Sequence, residues 1–165
     1  MNYVITGPES TGKTTLSQLL AKNFRLTYTA EYAREFLERL GRNYVYSDLL
    51  TIAKEQFRRQ EEAKKTGNEN CFDTDLLTIK IWSEVKFGQC DPWIHNHLLA
   101  NKDFLYVLCY PDFPWQPDAL RENPENQLEL YELYKAQLEK LNLTYIVVKG
   151  SVRERLEAVT SLYTQ

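Results

Sequence analysis

The sequence predicts an α/β fold in three layers, a mostly parallel five-stranded sheet with helices on both faces and one long insertion. Three observations carry this. Strand-like and helix-like runs alternate along the 165 residues, which demands crossover connections, and these are right-handed and cover both faces of a sheet. Residues 104–110, FLYVLCY, are apolar throughout, as in a strand buried on both sides. A glycine-rich turn from Gly7 to Gly12 separates the first strand candidate from the first helix candidate.

Tyr3, Val4 and Ile5 form the first β-prone run, and Leu16, Leu19, Leu20 and Phe24 then recur at helical spacing after Lys13. A short strand at 26–29 precedes a helix over 31–40, which Gly41 stops. Ser47 or Asp48 is expected to cap a longer helix. Its apolar side is Leu49, Ile52, Ala53 and Phe57, and its charged run from Lys54 to Lys65 reads as a solvated face. Residues 70–72 form a strand ending at Asp73, and Asp75 caps a helix whose core-facing stripe is Leu76, Ile79, Trp82 and Val85, closed by Gly88. A helix over 93–100 leads into the 104–110 strand. Pro111, Pro114, Pro117 and Pro124 preclude one continuous helix, so residues 111–124 read as an excursion over the surface. Helical spacing returns with Leu128, Tyr131, Tyr134, Leu138 and Leu141. A last strand over 144–148, a turn at Gly150 and a helix through Leu156 and Val159 complete the chain.

Length and composition fit one domain over residues 1–165, with 43% hydrophobic and 26% charged residues. The longest apolar run is seven residues, far from the ~20 that span a bilayer, and no export signal is read at the N-terminus. Net charge is −3, so no global positive field gathers nucleic acid. Cys71, Cys90 and Cys109 are odd in number and widely spaced, against a disulfide framework or a thiolate zinc site, and a reducing cytoplasm is expected. His95 and His97 lack partners at ligand spacing and read as structural or exposed.

The chemistry concentrates in Gly7-Pro8-Glu9-Ser10-Thr11-Gly12-Lys13-Thr14, with Thr15 following, which matches the phosphate-loop pattern G-x-x-x-x-G-K-[ST] in its required strand-to-helix setting. Its glycines let successive amides and a helix N-terminus face a phosphate chain; Lys13 would reach the β and γ phosphates and Thr14 would ligate Mg²⁺. The fold class thus becomes a P-loop NTPase fold that binds ATP. No N-K-x-D guanine motif is present, and the length suits a small-molecule kinase. Such a kinase needs an acid near the γ phosphate and cations over the transferring group. Asp73 and Asp75 are placed for the first role, with helix capping as the competing account of Asp75. Asp118, Arg121 and Glu122 lie in the 111–124 excursion, where a lid would bring Arg121 over the phosphates, and Trp115 would be a platform for a planar or cationic ring. An ordinary surface loop is the alternative. Glu31, Tyr32 and Arg34 begin a helix at another strand end that faces the site, although Glu-x-x-Arg spacing also suits a surface pair.

Four stretches in this order, Gly7 to Thr14, Glu31-Tyr32-Ala33-Arg34-Glu35, Phe72-Asp73-Thr74-Asp75-Leu76-Leu77-Thr78 with Trp82, and Pro111-Asp112-Phe113-Pro114-Trp115 with Asp118 and Arg121, resemble the ribosylnicotinamide kinase domain of the NadR-like family. The resemblance runs from Tyr3 to about Arg155. It implies an ATP- and Mg²⁺-dependent kinase acting on the 5′-hydroxyl of nicotinamide riboside in NAD salvage. It also implies that Lys13 and Thr14 bind phosphate and metal, that Asp73 and Asp75 form the acidic centre with Asp75 favoured as base, and that Trp115 stacks on the nicotinamide ring while Arg121 serves as the lid arginine. Glu31, Tyr32, Arg34 and Asp118 are the further substrate-binding candidates. The lid departs from the family's P-W-x-x-D-G-x-R by Ala119 in place of glycine, and the chain opens at the phosphate loop where relatives often carry an adenylyltransferase domain first, so no second activity is expected here. Two other readings stay open, a kinase for another nucleoside or small alcohol, and an ATP-binding regulatory module. The turn at Gly150 and Ser151 is the expected adenine region, with Arg153 and Arg155 left outside the site.

Overall fold

β1 (Asn2–Thr6) alternates its side chains between two apolar environments, as the two-residue period of a strand requires: Tyr3 and Ile5 enter one core, Val4 the other. A computed structural model describes residues 1–100, 103–114, 116 and 126–162. After β1 come α1 (Lys13–Phe24), β2 (Thr27–Thr29), α2 (Tyr32–Leu40), α3 (Tyr46–Lys64), β3 (Asn70–Asp73), α4 (Leu76–Phe87), α5 (Pro92–Ala100), β4 (Phe104–Cys109), α6 (Gln127–Lys140), β5 (Tyr145–Val148) and α7 (Val152–Thr160). The five strands form one sheet in the order β2-β3-β1-β4-β5, and every pairing is parallel. All strands therefore end on the same edge. β1 lies between β3 and β4, in the position where ligands of open parallel sheets bind beyond the strand ends.

The cores sit on opposite faces. One contains Val4, Phe72, Tyr106 and Leu108 with residues of α2 to α6; the other contains Tyr3, Ile5, Cys71, Val107 and Cys109 with Leu16 and Leu20 of α1 and Val159 of α7. β4 feeds both, the reason its sequence is apolar at every position. Cys71 and Cys109 are buried free thiols pushed up to about 12 and about 11 by burial, which suits small apolar residues rather than nucleophiles. Among the described residues no helix is long and apolar enough to cross a membrane.

Three expectations are corrected. The cap of α3 is Val45, with Asp48 three residues in: the Val45 amide donates to Asp48 at 2.7 Å, and Arg42 grips the same carboxylate at 2.7 and 2.9 Å. The side chain that caps α3 thus works backward from the third helical position. Val85 is 49% exposed and Leu128 is 54% exposed, so neither belongs to the core stripe of its helix. Both helices turn that side toward solvent and the cavity at the sheet edge rather than toward another layer.

Candidate active site

A cavity of about 670 Å³ opens at the carboxyl edge of the sheet, bordered by the whole of Gly7 to Thr15, by Glu31 and Arg34, and by Phe113, Pro114 and Gln116. The phosphate loop owes its course to two glycines. A Cβ at Gly7, where φ is +131°, would lie 2.8 Å from the Cys109 carbonyl, and one at Gly12, where φ is +79°, would lie 2.6 Å from the Phe113 ring. Gly12 begins α1 without a side-chain cap, which leaves the helix amides available to an anion. Lys13 Nζ donates to the Pro8 carbonyl at 2.6 Å, and the Thr11 hydroxyl to the same carbonyl at 2.8 Å.

Asp73 ends β3 beside Ile5 of β1 and is 2% exposed beneath the loop. The Thr14 hydroxyl bonds to its carboxylate, Tyr28 Oη approaches it at 3.4 Å, and Lys13 lies within electrostatic reach. Its Oδ1 has no hydrogen-bond partner among the described residues. Burial raises the Asp73 pKa despite the opposing pull of Thr14 and Lys13. Glu31 caps no amide of its own helix and instead accepts from the Thr74 hydroxyl at 3.4 Å. Burial raises its pKa too, with Asp73 adding and Lys13 opposing. The two carboxyls are close enough to oppose each other electrostatically, and Lys13 acts on both.

Thr74 explains why Asp73 and Asp75 part company. It holds φ at +67°, a left-handed conformation that a β-branched residue rarely adopts. Three bonds enforce it: its amide donates to the Ile5 carbonyl at 3.0 Å, its carbonyl accepts from Gln60 Nε2 at 3.2 Å, and its hydroxyl meets Glu31. The reversal sends Asp75 into the core. There Oδ1 accepts from the Leu77 amide at 3.0 Å and Oδ2 from Tyr106 Oη at 2.6 Å, and burial lifts its pKa to about 6. Asp75 does not border the cavity and caps α4, the competing account of its role; Asp73 does not border the cavity either but lies within electrostatic reach of Lys13.

Tyr32, a substrate-binding candidate, does not border the cavity. Its amide donates to Gln56 Oε1 at 2.7 Å and its ring lies under the Arg59 guanidinium at 4.4 Å, away from the cavity. Arg34 borders the cavity and pairs with Glu38 at 3.8 Å. Trp115, Asp118 and Arg121 lie outside the described residues, as does most of the 111–124 segment. The residues on either side of it touch the loop: the Gln116 amide donates to Ser10 Oγ at 3.0 Å, and Gln127 Nε2 to the Glu9 carbonyl at 2.8 Å.

The cavity is also lined by Leu37, Thr78, Ile81, Trp82, Val85, Lys86, Leu130 and Tyr134. Trp82 packs against the core, as its stripe implied, and also borders the cavity, while its indole N–H donates to Tyr44 Oη at 2.9 Å. Sequence reasoning also missed Gln56, Gln60 and Arg155. The first two are polar residues on the buried side of α3, a signal visible beside Ile52 and Ala53. Arg155 stands on the same face of α7 as Val152 and Val159, where a charge is out of place unless it has partners. Thr14 and Asp73 fit a small hard cation. Mg²⁺ takes one or two protein oxygens and completes its octahedron from phosphates and water, and the orphaned Oδ1 provides an acceptor. No cluster of three or more His, Cys, Asp or Glu side chains placed to hold a metal ion occurs among the described residues.

Comparison with known proteins follows the same lines. The chain is 30% identical over 152 residues to the trifunctional NAD biosynthesis/regulator protein NadR of Escherichia coli (strain K12); the match takes in 88% of this chain and 37% of the relative's length. A solved NadR protein in complex with NR superposes with a TM-score of 0.78 at 19% identity, over 99% of this chain and 50% of the other. Thymidylate kinase from Ehrlichia chaffeensis superposes with a TM-score of 0.73 at 15% identity over 98% of both chains, so the fold is that of P-loop nucleoside and nucleotide kinases. Residues 2–155 match the family model described as an AAA domain (AAA_28), and with its phosphate loop at the carboxyl edge of a parallel sheet the chain belongs to that family.

Proposed function

We propose that this protein is an ATP-dependent kinase that phosphorylates the 5′-hydroxyl of nicotinamide riboside. The observation that carries the reading is one cavity lined both by the phosphate loop with Glu31 and by a largely apolar set of side chains that includes Trp82, with the buried Asp73 carboxyl beneath the loop. Such a cavity accepts a triphosphate and a ring-bearing alcohol together. The likeness to NadR proteins, a solved structure of which is in complex with NR, supports nicotinamide riboside as the alcohol.

In this reading the loop amides and the N-terminus of α1 hold the donor phosphates, and Lys13 exchanges the Pro8 carbonyl for phosphate oxygens. Thr14 and Asp73 would hold Mg²⁺, which would offset the charge of the donor phosphates. The acceptor oxygen forms a bond to the γ phosphorus as the bond from that phosphorus to the β–γ bridging oxygen breaks and ADP leaves. The hydroxyl proton passes to Glu31, which borders the cavity and whose raised pKa suits a proton acceptor better than an exposed carboxylate. Glu31 takes the base role that the sequence suggested for Asp75. Trp115, Asp118 and Arg121 keep their proposed parts as ring platform, substrate contact and lid cation.

The test is ATP consumption with Mg²⁺ and nicotinamide riboside, nicotinic acid riboside, the common nucleosides or no acceptor, with Lys13→Ala as blank. Stoichiometric formation of nicotinamide mononucleotide is the expected result. Transfer only to another nucleoside would move the assignment to that acceptor. ATP binding with no transfer to any acceptor would favour a regulatory module.

A further inference from the structure

Arg155, in the first turn of α7, is 1% exposed, yet its partners are the loops at the carboxyl edge of the sheet. Nη1 donates to the Thr11 carbonyl of the phosphate loop at 2.6 Å. Nε donates to the Gly150 carbonyl, just after β5, at 3.0 Å. Nη2 donates to the Tyr110 carbonyl, just after β4, at 2.9 Å and to the Asp112 carboxylate. The guanidinium lies 4.2 Å from the centroid of the Phe113 ring, and that ring is the one packed against Gly12. Asp112 also accepts from the Gly150 amide, so three separate loops meet at one side chain.

A buried guanidinium is tolerated when its fork of donors is satisfied, and five N–H groups in fixed geometry can hold several acceptors at once. Its hydrogen-bond acceptors all lie in connecting segments outside the sheet and helices. Those segments, or the residues next to them, form the loop side of the cavity: Thr11 and Gly12, Phe113 and Pro114, and Val152. Arg155 itself does not border the cavity, so the Thr11 carbonyl it holds is turned away from the space a phosphate chain would fill. A carbonyl free to swing inward would oppose an anion with its negative end.

We infer that Arg155 is a positioning residue for the phosphate donor, fixing the phosphate loop in its anion-binding shape and tying it to the segment that carries Phe113. The inference rests on the reading of this loop as the donor site, not on which acceptor is used.

The test uses the full chain with Arg155→Lys and Arg155→Ala, measuring ATP and inorganic tripolyphosphate binding by calorimetry, unliganded melting, and steady-state kinetics with an accepted alcohol. Lysine keeps the charge and much of the stem but cannot hold four acceptors. Expected for Arg155→Lys is a cooperative melt, ATP binding weakened at least tenfold, tripolyphosphate weakened by the same factor, and KM for ATP raised while kcat at saturating ATP falls less than threefold. Arg155→Ala should weaken both ligands further. ATP binding equal to wild type in either folded variant overturns the inference. So does weakened ATP with unchanged tripolyphosphate, which would place the effect on the base rather than on the phosphate loop. Failure of both variants to fold assigns Arg155 to structure alone and also overturns it. Should the wild type bind neither ligand, the donor reading falls together with this one; binding of ATP without phosphate transfer leaves this inference standing while the kinase reading fails.

Discussion

At Thr74 a single backbone angle sends two neighbouring aspartates into different surroundings. A residue held in such a region costs of order 1–3 kcal/mol, and the three bonds from Ile5, Gln60 and Glu31 offset it. The division gives opposite expectations for the two carboxyls. Asp73→Asn should abolish phosphoryl transfer while leaving the melting temperature within a few degrees of wild type. Asp75→Ala, which leaves the Leu77 amide and the Tyr106 hydroxyl without acceptors, should cost about 1–3 kcal/mol in urea unfolding and retain turnover in the folded fraction. A stable but inactive Asp75→Ala protein would return Asp75 to the reaction. Asp75 also sets a pH dependence. Its pKa is about 6 when folded against the ordinary 3.8, so between about pH 4 and 6 the folded state binds the extra proton and stability falls as pH rises. Relative to wild type, Asp75→Asn should therefore gain stability as pH rises through that window. Parallel stability curves for the two proteins would contradict the buried acid. The two aspartates are adjacent in sequence but for one residue, and nothing in their spacing shows which way each turns; that depends on Gln60, fourteen residues away on another helix.

The elements themselves were largely legible. Each run with clear periodicity formed the element expected, because strand alternation and helical spacing are local consequences of backbone geometry. The failures fall where an element meets the cavity. Val85 and Trp82 belong to a helical stripe that would be core in an ordinary layer, but both border the cavity, and Val85 is 49% exposed. The α3 cap was missed because Val45 has no acceptor and Asp48 reaches back to it with help from Arg42. Among the connections, the phosphate loop is least tolerant of change. Gly7→Ala meets both the Cys109 carbonyl and a φ of +131°, and should destabilise the chain by about 1–3 kcal/mol with loss of ATP binding; wild-type urea midpoint and affinity would contradict that packing.

For the whole molecule, donor binding and stability are linked. ATP with Mg²⁺ at 100 times its Kd should add about 2.7 kcal/mol to unfolding, and at ~2–4 °C per kcal/mol for a chain of this size the melting temperature should rise by about 5–10 °C. Lys13→Ala should melt near the unliganded wild type and shift little with ATP. An equal shift in both proteins would mean that the nucleotide binds elsewhere. With a net charge of −3, the protein has no overall field to attract a triphosphate, so the proposed donor binding rests on the loop amides, Lys13 and the Mg²⁺ that Thr14 and Asp73 would hold.

By itself the sequence determined the α/β class, the parallel sheet, the position of the phosphate loop and the membership of Glu31, Arg34 and Asp73 in one neighbourhood. These follow from periodicities and from a contiguous motif whose function lies in its own backbone. The tertiary structure decided that Glu31 borders the cavity while Asp75 turns to Leu77 and Tyr106, which helix faces border that cavity, and that Arg155 joins the phosphate loop 144 residues away. Those facts depend on contacts between distant segments, where burial and unsatisfied backbone carbonyls, rather than local propensity, choose the partner.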